Sequence, residues 1–202
     1  MREKPSRQQR HADVKQAIVW AARALILEKG VEQLSLREIA RRIGHSPAGL
    51  YEYFGNKEEI VAEVAAEAFA QLRLALERVP TGLPPAQRLV ELGLAYVAFA
   101  RQQPEQFLLI FSRLPSQRSS LEAPLSSNSP FALVRDAVQH ATDTGAIVAR
   151  AGYGVEEIGY SLWALAHGLA MLQQTHLRGF QADFTSADRR ALEQFVAGLA
   201  RE

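Results

Sequence analysis

The spacing of apolar residues predicts helices along most of the chain. The first helix runs from about His11 to Lys29, and Gly30 ends it. Its buried stripe is expected to comprise Val14, Ala17, Ile18, Ala21, Leu25 and Ile26. A second, shorter stripe at the spacing i, i+3, i+4, i+7 comprises Leu36, Ile39, Ala40 and Ile43. The chain therefore opens with a long helix followed by a helix of about two turns.

Capping residues around the second stripe predict a tight turn between two short helices. Ser35 is placed as the N-cap, and Glu38 three residues later completes a capping box. Gly44 follows the stripe, where a left-handed helix stop prefers glycine. Ser46 and Pro47 then open another helix as its N-cap and first residue. This order is that of a helix-turn-helix, whose second helix can enter the major groove of DNA.

Apolar spacing predicts helices over most of the remaining chain as well. Asn56 caps a long helix that extends to about Arg78, where prolines and a glycine break the pattern. Residues 113–129 are rich in serine and predict a loop. Further helices are expected over residues 85–103, 105–112, 130–144 and 155–176, and from about Ser186 onward. No segment predicts a strand, so the fold class is all-α.

Composition excludes several classes of protein. The 202 residues include no cysteine, which excludes a disulfide framework and a thiolate metal site. No apolar run approaches the roughly 20 residues that a membrane-spanning helix needs, so a cytoplasmic protein without membrane contact is expected. His140 with Asp143, or His167 with His176, lacks a third metal ligand. No glycine-rich phosphate loop or Ser/His/Asp motif is present, so we expect no enzyme and no cofactor.

Charge is distributed unevenly along the chain. Residues 1–60 carry a net charge of +3, and residues 61–202 a net charge of −2. Residues 1–10 contain four Lys or Arg side chains and no apolar periodicity, so they are expected to form a disordered basic arm. Such an arm beside a helix-turn-helix can neutralise DNA phosphates, or it can be a solvated tail. Both interpretations stay open at this point.

A family resemblance rests on the segment from about Ala12 to Val64. The run Leu36-Arg37-Glu38-Ile39-Ala40, then Gly44, then Leu50-Tyr51-Glu52-Tyr53-Phe54 and Lys57-Glu58-Glu59-Ile60 resembles the signature of tetracycline-repressor (TetR) family regulators. The resemblance implies a three-helix DNA-binding domain over residues 11–59. It also implies a helical-bundle ligand-binding and dimerisation domain over residues 60–202. The implied partners are operator DNA, a small-molecule effector and a second copy of the chain.

The expected DNA contacts lie in and around the second short helix. By resemblance, Ser35, Tyr51, Tyr53 and Lys57 contact the phosphate backbone, and Ala48 and Gly49 meet base edges. The full expected set is Ser35, Arg37, Arg42, His45, Ser46, Pro47, Ala48, Gly49, Tyr51, Tyr53 and Lys57. His45 is equally well explained as an exposed turn residue. The helix lacks the Arg, Asn or Gln that makes bidentate base contacts, which favours recognition by apolar contact and DNA shape.

Two further sets of residues are assigned to the second domain. The residues expected to line a ligand cavity are Tyr96, Phe99, Phe107, Phe111, Trp163, His167 and Met171. Residues 155–176 are apolar around most of the helix, which indicates burial on more than one side. The expected dimer contacts are Ala164, Gly168, Leu192, Phe195, Val196 and Leu199. Ordinary core packing within one subunit is the alternative for both sets.

These observations favour a ligand-responsive DNA-binding transcriptional regulator. We expect a repressor that a small apolar or aromatic effector releases from a palindromic operator. The alternative is a helical ligand-binding or protein-interaction module that does not bind DNA specifically.

Overall fold

The computed structural model describes residues 6–114 and 129–200. The helices are α1 (Arg7–Lys29), α2 (Leu36–Ile43), α3 (Pro47–Leu50), α4 (Lys57–Glu77), α5 (Pro85–Gln102), α6 (Pro104–Leu108), α7 (Pro130–Asp143), α8 (Val155–Gln174) and α9 (Phe184–Ala197). A π-helical turn, Leu109–Arg113, follows α6 directly. The described residues contain no strand, apart from an isolated bridge between Arg150 and Tyr153. The all-α prediction is confirmed, and most of the predicted loop 113–129 lies outside the described residues.

The first helix begins earlier than its apolar stripe predicts. The Ser6 side chain accepts a hydrogen bond from the backbone N–H of Gln9 at 3.1 Å and caps α1. The expectation of a disordered arm is therefore wrong for residues 7–10, which are helical. A polar cap can start a helix before any residue is buried, so apolar periodicity alone does not locate the start. Residues 1–5 lie outside the described residues.

Contacts divide the chain into two compact units. The first unit comprises Met1–Ala68 and Leu108–Leu121, and the second comprises Phe69–Phe107 and Glu122–Glu202. The division thus falls within α4, whereas the predicted boundary between residues 59 and 60 lies near the start of that helix. No helix in the described parts of the chain is long and apolar enough to cross a membrane.

The first unit is built on α1, which packs against α2, while α2 packs against α3. Its core includes Ile18 and Leu25 of α1, Ile39 of α2 and Leu50 of α3, all of which are almost fully buried. Phe54, in the segment after α3, is also buried. Leu50 and Phe54, which lie four residues apart, thus both face the core of the first unit. These contacts hold one side of α3 in the core and leave Pro47 and Ala48 of the same helix exposed to solvent.

The second unit is organised around α5, which packs against α7, α8 and α9. Gly93 of α5 lies directly against Leu192 of α9: a Cβ atom built on Gly93 would be 2.6 Å from Leu192 Cδ2. Asp188 is the only charged residue fully buried among those described, and Gln173 Nε2 donates to both of its carboxylate oxygens at 3.0 Å. The pair joins α8 to α9 by satisfying a buried polar group.

The expected dimer residues divide into two groups. Leu192, Val196 and Leu199 are buried within the single chain, as the alternative of core packing expects, and their place at a subunit contact stays a prediction. Their apolar surface is already removed from water by the chain's own helices. Ala164 is exposed, and Gly168 and Phe195 are partly exposed. These three residues therefore have surface that a second subunit could cover.

Candidate nucleic-acid interface and aromatic cluster

The start of α2 differs from the predicted capping box. Ser35 makes no side-chain cap hydrogen bond. Glu38, its expected partner in the box, instead accepts a hydrogen bond from Lys29 Nζ at the end of α1. This hydrogen bond, with smaller contributions from nearby cations, lowers the pKa of the Glu38 carboxyl. The ion pair ties α1 to α2, a tertiary contact that the local capping pattern does not contain.

The turn and the start of α3 form as predicted. Gly44 has φ = 70°, in the left-handed region, and its neighbour His45 donates its backbone N–H to the Ala40 carbonyl at 2.9 Å. Ser46 Oγ accepts from the Gly49 backbone N–H at 3.1 Å, and Pro47 occupies the first helical position. A Cβ atom at position 49 would be 3.2 Å from Ser46 Oγ, so glycine suits this cap.

The second helix of the helix-turn-helix, α3, is only one turn long. It ends at Leu50, and the next residues continue as turns in which the backbone N–H of Tyr53 donates to the Leu50 carbonyl at 3.0 Å. The N–H of Phe54 donates to the same carbonyl at 3.1 Å. Tyr51 and Tyr53 therefore stand on a tight turn, not on a continuous helix.

Most of the expected DNA-contacting residues lie at the surface of the first unit. Tyr51 is 59% exposed although it is a large aromatic residue. The exposed members are Arg37, Arg42, His45, Ser46, Pro47, Ala48 and Tyr51, and the partly exposed ones are Ser35, Gly49, Tyr53 and Lys57. Ser46, Pro47 and Ala48, at the N-terminal end of α3, are thus all exposed to solvent.

Some of these side chains also have partners within the chain. The guanidinium of Arg42 donates two hydrogen bonds to the Glu28 carboxylate, at 3.0 and 2.9 Å. This bidentate pair lowers the pKa of Glu28 and raises that of Arg42. Lys57 Nζ donates to the Glu32 carbonyl at 3.4 Å. His45 Nδ1 lies 3.0 Å from the Ile43 carbonyl, which only accepts, so Nδ1 carries the proton.

Sequence reasoning did not single out the residues of α1 that face the segment after α3. The His11 ring stacks on Tyr53 with 4.6 Å between centroids, and Lys15 Nζ lies 5.3 Å from the centre of the Phe54 ring. Lys15 also approaches Glu63 at 3.5 Å. The only sequence signal is the i, i+4 spacing of His11 and Lys15, which places them on one side of α1. Glu28 of α1, which accepts hydrogen bonds from Arg42, was not identified from the sequence either.

In the second unit, part of the predicted ligand set forms an aromatic cluster. Trp163 Nε1 donates to Tyr96 Oη at 3.3 Å, and Tyr96 Oη lies 2.9 Å from His167 Nδ1. The phenol oxygen of Tyr96 therefore links the indole of Trp163 to the ring of His167. Burial raises the pKa of Tyr96 and lowers that of His167, so burial favours the uncharged form of each.

Phenylalanine rings complete the aromatic cluster. Phe107 is fully buried, with its ring centre 5.9 Å from Tyr96 and 5.7 Å from His167. Phe131 lies 5.7 Å from Trp163, and the sequence did not assign it to the ligand set. Its position on the apolar side of α7 was the available signal. We call Tyr96, Phe107, Phe131, Trp163 and His167 the aromatic cluster.

Other predicted ligand residues lie outside this set of contacts. Phe99 is buried on α5, and Met171 is partly exposed on α8, one turn after His167. Phe111 lies in the π-helical turn that groups with the first unit. A surface depression of about 540 Å³ lies elsewhere, among charged residues that include Arg135, Asp136 and Glu156. Its polar, open character does not suit the apolar ligand predicted from the aromatic set, so the cluster remains the better candidate.

No group of three or more His, Cys, Asp or Glu side chains that could hold a metal ion occurs within the described ranges.

Two family descriptions match the chain. "Bacterial regulatory proteins, tetR family" matches residues 18–64, and "Tetracyclin repressor-like, C-terminal domain" matches residues 89–199. The second match alone covers more than half of the 202 residues. No curated protein matches the chain.

Several solved structures are similar over almost the whole length. A protein of unknown function from Rhodococcus sp. RHA1 is 26% identical, with a TM-score of 0.73, over 93% of this chain and 96% of its own. NalD of Pseudomonas aeruginosa, the secondary repressor of the MexAB-OprM multidrug efflux pump, is 25% identical, with a TM-score of 0.69, over 96% and 98%. A putative tetR family transcription regulator from Shewanella sp. PV-4 is 18% identical, with a TM-score of 0.72, over 93% and 98%. With its helix-turn-helix and helical second unit, the chain belongs to the tetR family of bacterial regulatory proteins.

Proposed function

We propose that the protein is a homodimeric transcriptional repressor that binds a near-palindromic operator and releases it when a small effector binds. The observation that carries the DNA-binding part is the open N-terminal end of α3, Ser46–Ala48, beside the exposed ring of Tyr51. Leu50 and Phe54 anchor this surface in the core of the first unit. A rigid, exposed helix end on a helix-turn-helix is suited to the major groove.

The chemistry of this surface supports separate roles for its residues. Pro47, Ala48 and Gly49 are small and let the backbone of α3 approach base edges closely. Tyr51 and Tyr53 have phenol hydroxyls that can donate to phosphates, and Lys57 supplies a positive charge. Because α3 offers no Arg, Asn or Gln, sequence preference rests on apolar contacts and on the deformability of the DNA.

A stripe on the outer side of α8 supports dimerisation. Tyr160, Ala164 and Leu172 are exposed and Gly168 is partly exposed, at a spacing of four residues. Small residues at two of these positions let a second helix approach closely, with larger apolar side chains at either end. A two-fold dimer presents two α3 helices to half-sites about 34–36 Å apart along the DNA.

The aromatic cluster supports binding of an uncharged effector. Its polar atoms, Trp163 Nε1, Tyr96 Oη and His167 Nδ1, are linked in that order, and burial favours the neutral forms of Tyr96 and His167. Such a site favours an aromatic or apolar molecule with few polar groups. RolR, which was solved with resorcinol, shares the fold at 18% identity and a TM-score of 0.59.

The long helix α4 provides a route for the response. Lys57–Ala68 belongs to the first unit and Phe69–Glu77 to the second, within one uninterrupted helix. An effector that prefers one position of α4 shifts the protein toward that position. Moving the population from 1:99 to 99:1 requires roughly a 10⁴-fold preference of the effector for one state.

Selection from a random duplex DNA library tests the DNA-binding part. We expect the protein to enrich a two-fold symmetric sequence and to bind it far more tightly than a scrambled duplex at about 150 mM salt. A promoter that carries the enriched sequence should be transcribed less in vitro when the protein is added. Failure to enrich any sequence would refute specific DNA binding and favour the alternative of a helical ligand-binding or protein-interaction module.

Tryptophan fluorescence tests the effector part. The chain has two tryptophans, and Trp20 is 63% exposed on α1, so a Trp20→Phe variant reports on Trp163 alone. We expect small neutral aromatic compounds, tested as a panel that includes resorcinol and naphthalene, to change Trp163 emission. The compounds that do so should also release the enriched duplex. Emission changes without any release would contradict the effector role.

A further inference from the structure

The ring of Tyr53 is held by a residue from another helix. His11 of α1 stacks on it at 4.6 Å between centroids, with an angle of 34° between the ring planes. Tyr53 lies in a turn, where its backbone is fixed by hydrogen bonds but the rotamer of its side chain is not set by a helix. The orientation of the phenol therefore depends on what the ring packs against.

The position of His11 is itself well determined. Because Ser6 caps α1, His11 lies in the second turn of a regular helix and not in a tail. One turn further, Lys15 approaches both the Phe54 ring and the Glu63 carboxylate. Two consecutive aromatic residues after α3, Tyr53 and Phe54, thus each meet a side chain from the same side of α1.

Tyr51 provides an internal contrast. It lies two residues before Tyr53, on the same tight turn, and 59% of its surface is exposed. Tyr53 is only partly exposed because its ring is partly covered. A phenol with a fixed orientation loses less side-chain freedom when it binds a phosphate than one that rotates freely.

We propose that His11 is a positioning residue for DNA binding, which acts by holding Tyr53 in the orientation that donates its hydroxyl to a phosphate. The proposal rests on the proposed function, because it presumes that the surface around α3 binds DNA. It adds α1 to the elements that determine operator affinity, through a ring contact and not through charge. His11 is exposed, so its removal leaves the core of the first unit intact.

A double-mutant cycle tests this proposal, with the duplex enriched by the wild-type protein as the probe. His11→Ala should weaken binding about three- to tenfold, the range that the contribution of one aromatic pair gives. His11→Phe keeps an aromatic ring and should bind within about twofold of wild type. In a Tyr53→Phe background, which lacks the hydroxyl, His11→Ala should cause little further loss.

Salt dependence separates positioning from a charge effect. Because the Tyr53 phenol is uncharged, His11→Ala should leave the slope of log K against log salt unchanged. A reduced slope, or a His11→Phe variant as weak as His11→Ala, would overturn the ring-positioning role. So would equal losses for His11→Ala with and without the Tyr53 hydroxyl, or no loss at all.

The outcome can be distinguished from failure of the proposed function. If the wild-type protein enriches no duplex, DNA binding itself fails, and the cycle is then run on non-specific binding to a random duplex at low salt. Persistent coupling between His11 and Tyr53 there would support the positioning role, and its absence would overturn it. Urea unfolding of each variant should give an unchanged midpoint, which shows that the binding losses do not arise from unfolding.

Discussion

Substitution of Gly93 by alanine tests how α5 and α9 pack. The added Cβ would lie 2.6 Å from Cδ2 and 2.9 Å from Cδ1 of Leu192, with Cγ at 3.3 Å. Both methyl groups and their branch point are close, and Leu192 is fully buried, so its side chain cannot rotate away from the clash without strain. Either α9 shifts outward or Leu192 adopts a strained rotamer.

The expected magnitude is the balance of two effects. Alanine stabilises the interior of a helix by about 1 kcal/mol relative to glycine. Overpacking a dense core by one methyl group costs typically about 1–3 kcal/mol. The steric term is expected at the upper end, because the contacts are far shorter than van der Waals distance. We therefore predict that Gly93→Ala lowers the free energy of unfolding by about 1–2 kcal/mol.

Gly159→Ala is the matched control. Gly159 is also buried within a helix, α8, but its added Cβ would meet Phe131 Cζ at an ordinary 3.6 Å. The higher helix propensity of alanine should raise the free energy of unfolding of this variant by up to about 1 kcal/mol, because no steric clash opposes it. Urea unfolding at one fixed protein concentration measures the free energy of unfolding of both variants, since the proposed dimerisation would make stability depend on concentration.

The comparison also tests the burial of Leu192. Equal changes in the free energy of unfolding for Gly93→Ala and Gly159→Ala would refute the packing of Leu192 on Gly93. Such a result would favour a place for Leu192 at the subunit contact. Sedimentation should show the same dimerisation constant for Gly93→Ala as for wild type.

Three further predictions follow from the described contacts. Lys57→Ala should weaken DNA binding about equally for all duplexes, as measured by fluorescence anisotropy. It should also reduce the slope of log K against log salt by about 0.9 per lost phosphate contact. The control Arg190→Ala, on α9, should change neither the affinity nor the slope. Burial keeps the folded-state pKa of His167 below its ordinary 6.5, so the unfolded chain binds more protons and stability should fall as the pH falls below about 6.5. His167→Gln should remove this part of the slope in urea titrations between pH 7.5 and 5, and an unchanged slope would contradict it. A Cβ atom added at Gly168 would have no atom of another part of the chain within 4 Å, so Gly168→Ala should stabilise the fold by up to about 1 kcal/mol. If α8 pairs with α8 of a second subunit, sedimentation should nevertheless show weaker dimers for this variant.

Local sequence signals located most helix ends and the recognition turn. Gly44 ends α2, Ser46 and Pro47 open α3, and Asn56 accepts from the Glu59 N–H at 2.8 Å before α4, as their cap chemistry predicts. These interactions span four residues or fewer, so the sequence alone contains both partners.

Tertiary structure decided the partners of charged and apolar side chains. Glu38 binds Lys29 of another helix instead of capping Ser35, and Arg42 binds Glu28. Likewise, the apolar side of α9 predicts Leu192 as a subunit contact, with core packing as the alternative, and the structure places it against Gly93 of α5. The periodicity of apolar residues predicts which side of a helix is buried, but it does not identify the helix or subunit that covers that side.

The amino-acid sequence by itself therefore determined the all-α class, the helix-turn-helix and the family, because these depend on short-range spacing. It also predicted Tyr96, Trp163 and His167 as residues that line a ligand cavity in the second domain. The fold decided that these three share hydrogen bonds and that His11 covers Tyr53. Contacts between residues tens of positions apart depend on how helices pack, and helix packing is set by the whole core at once.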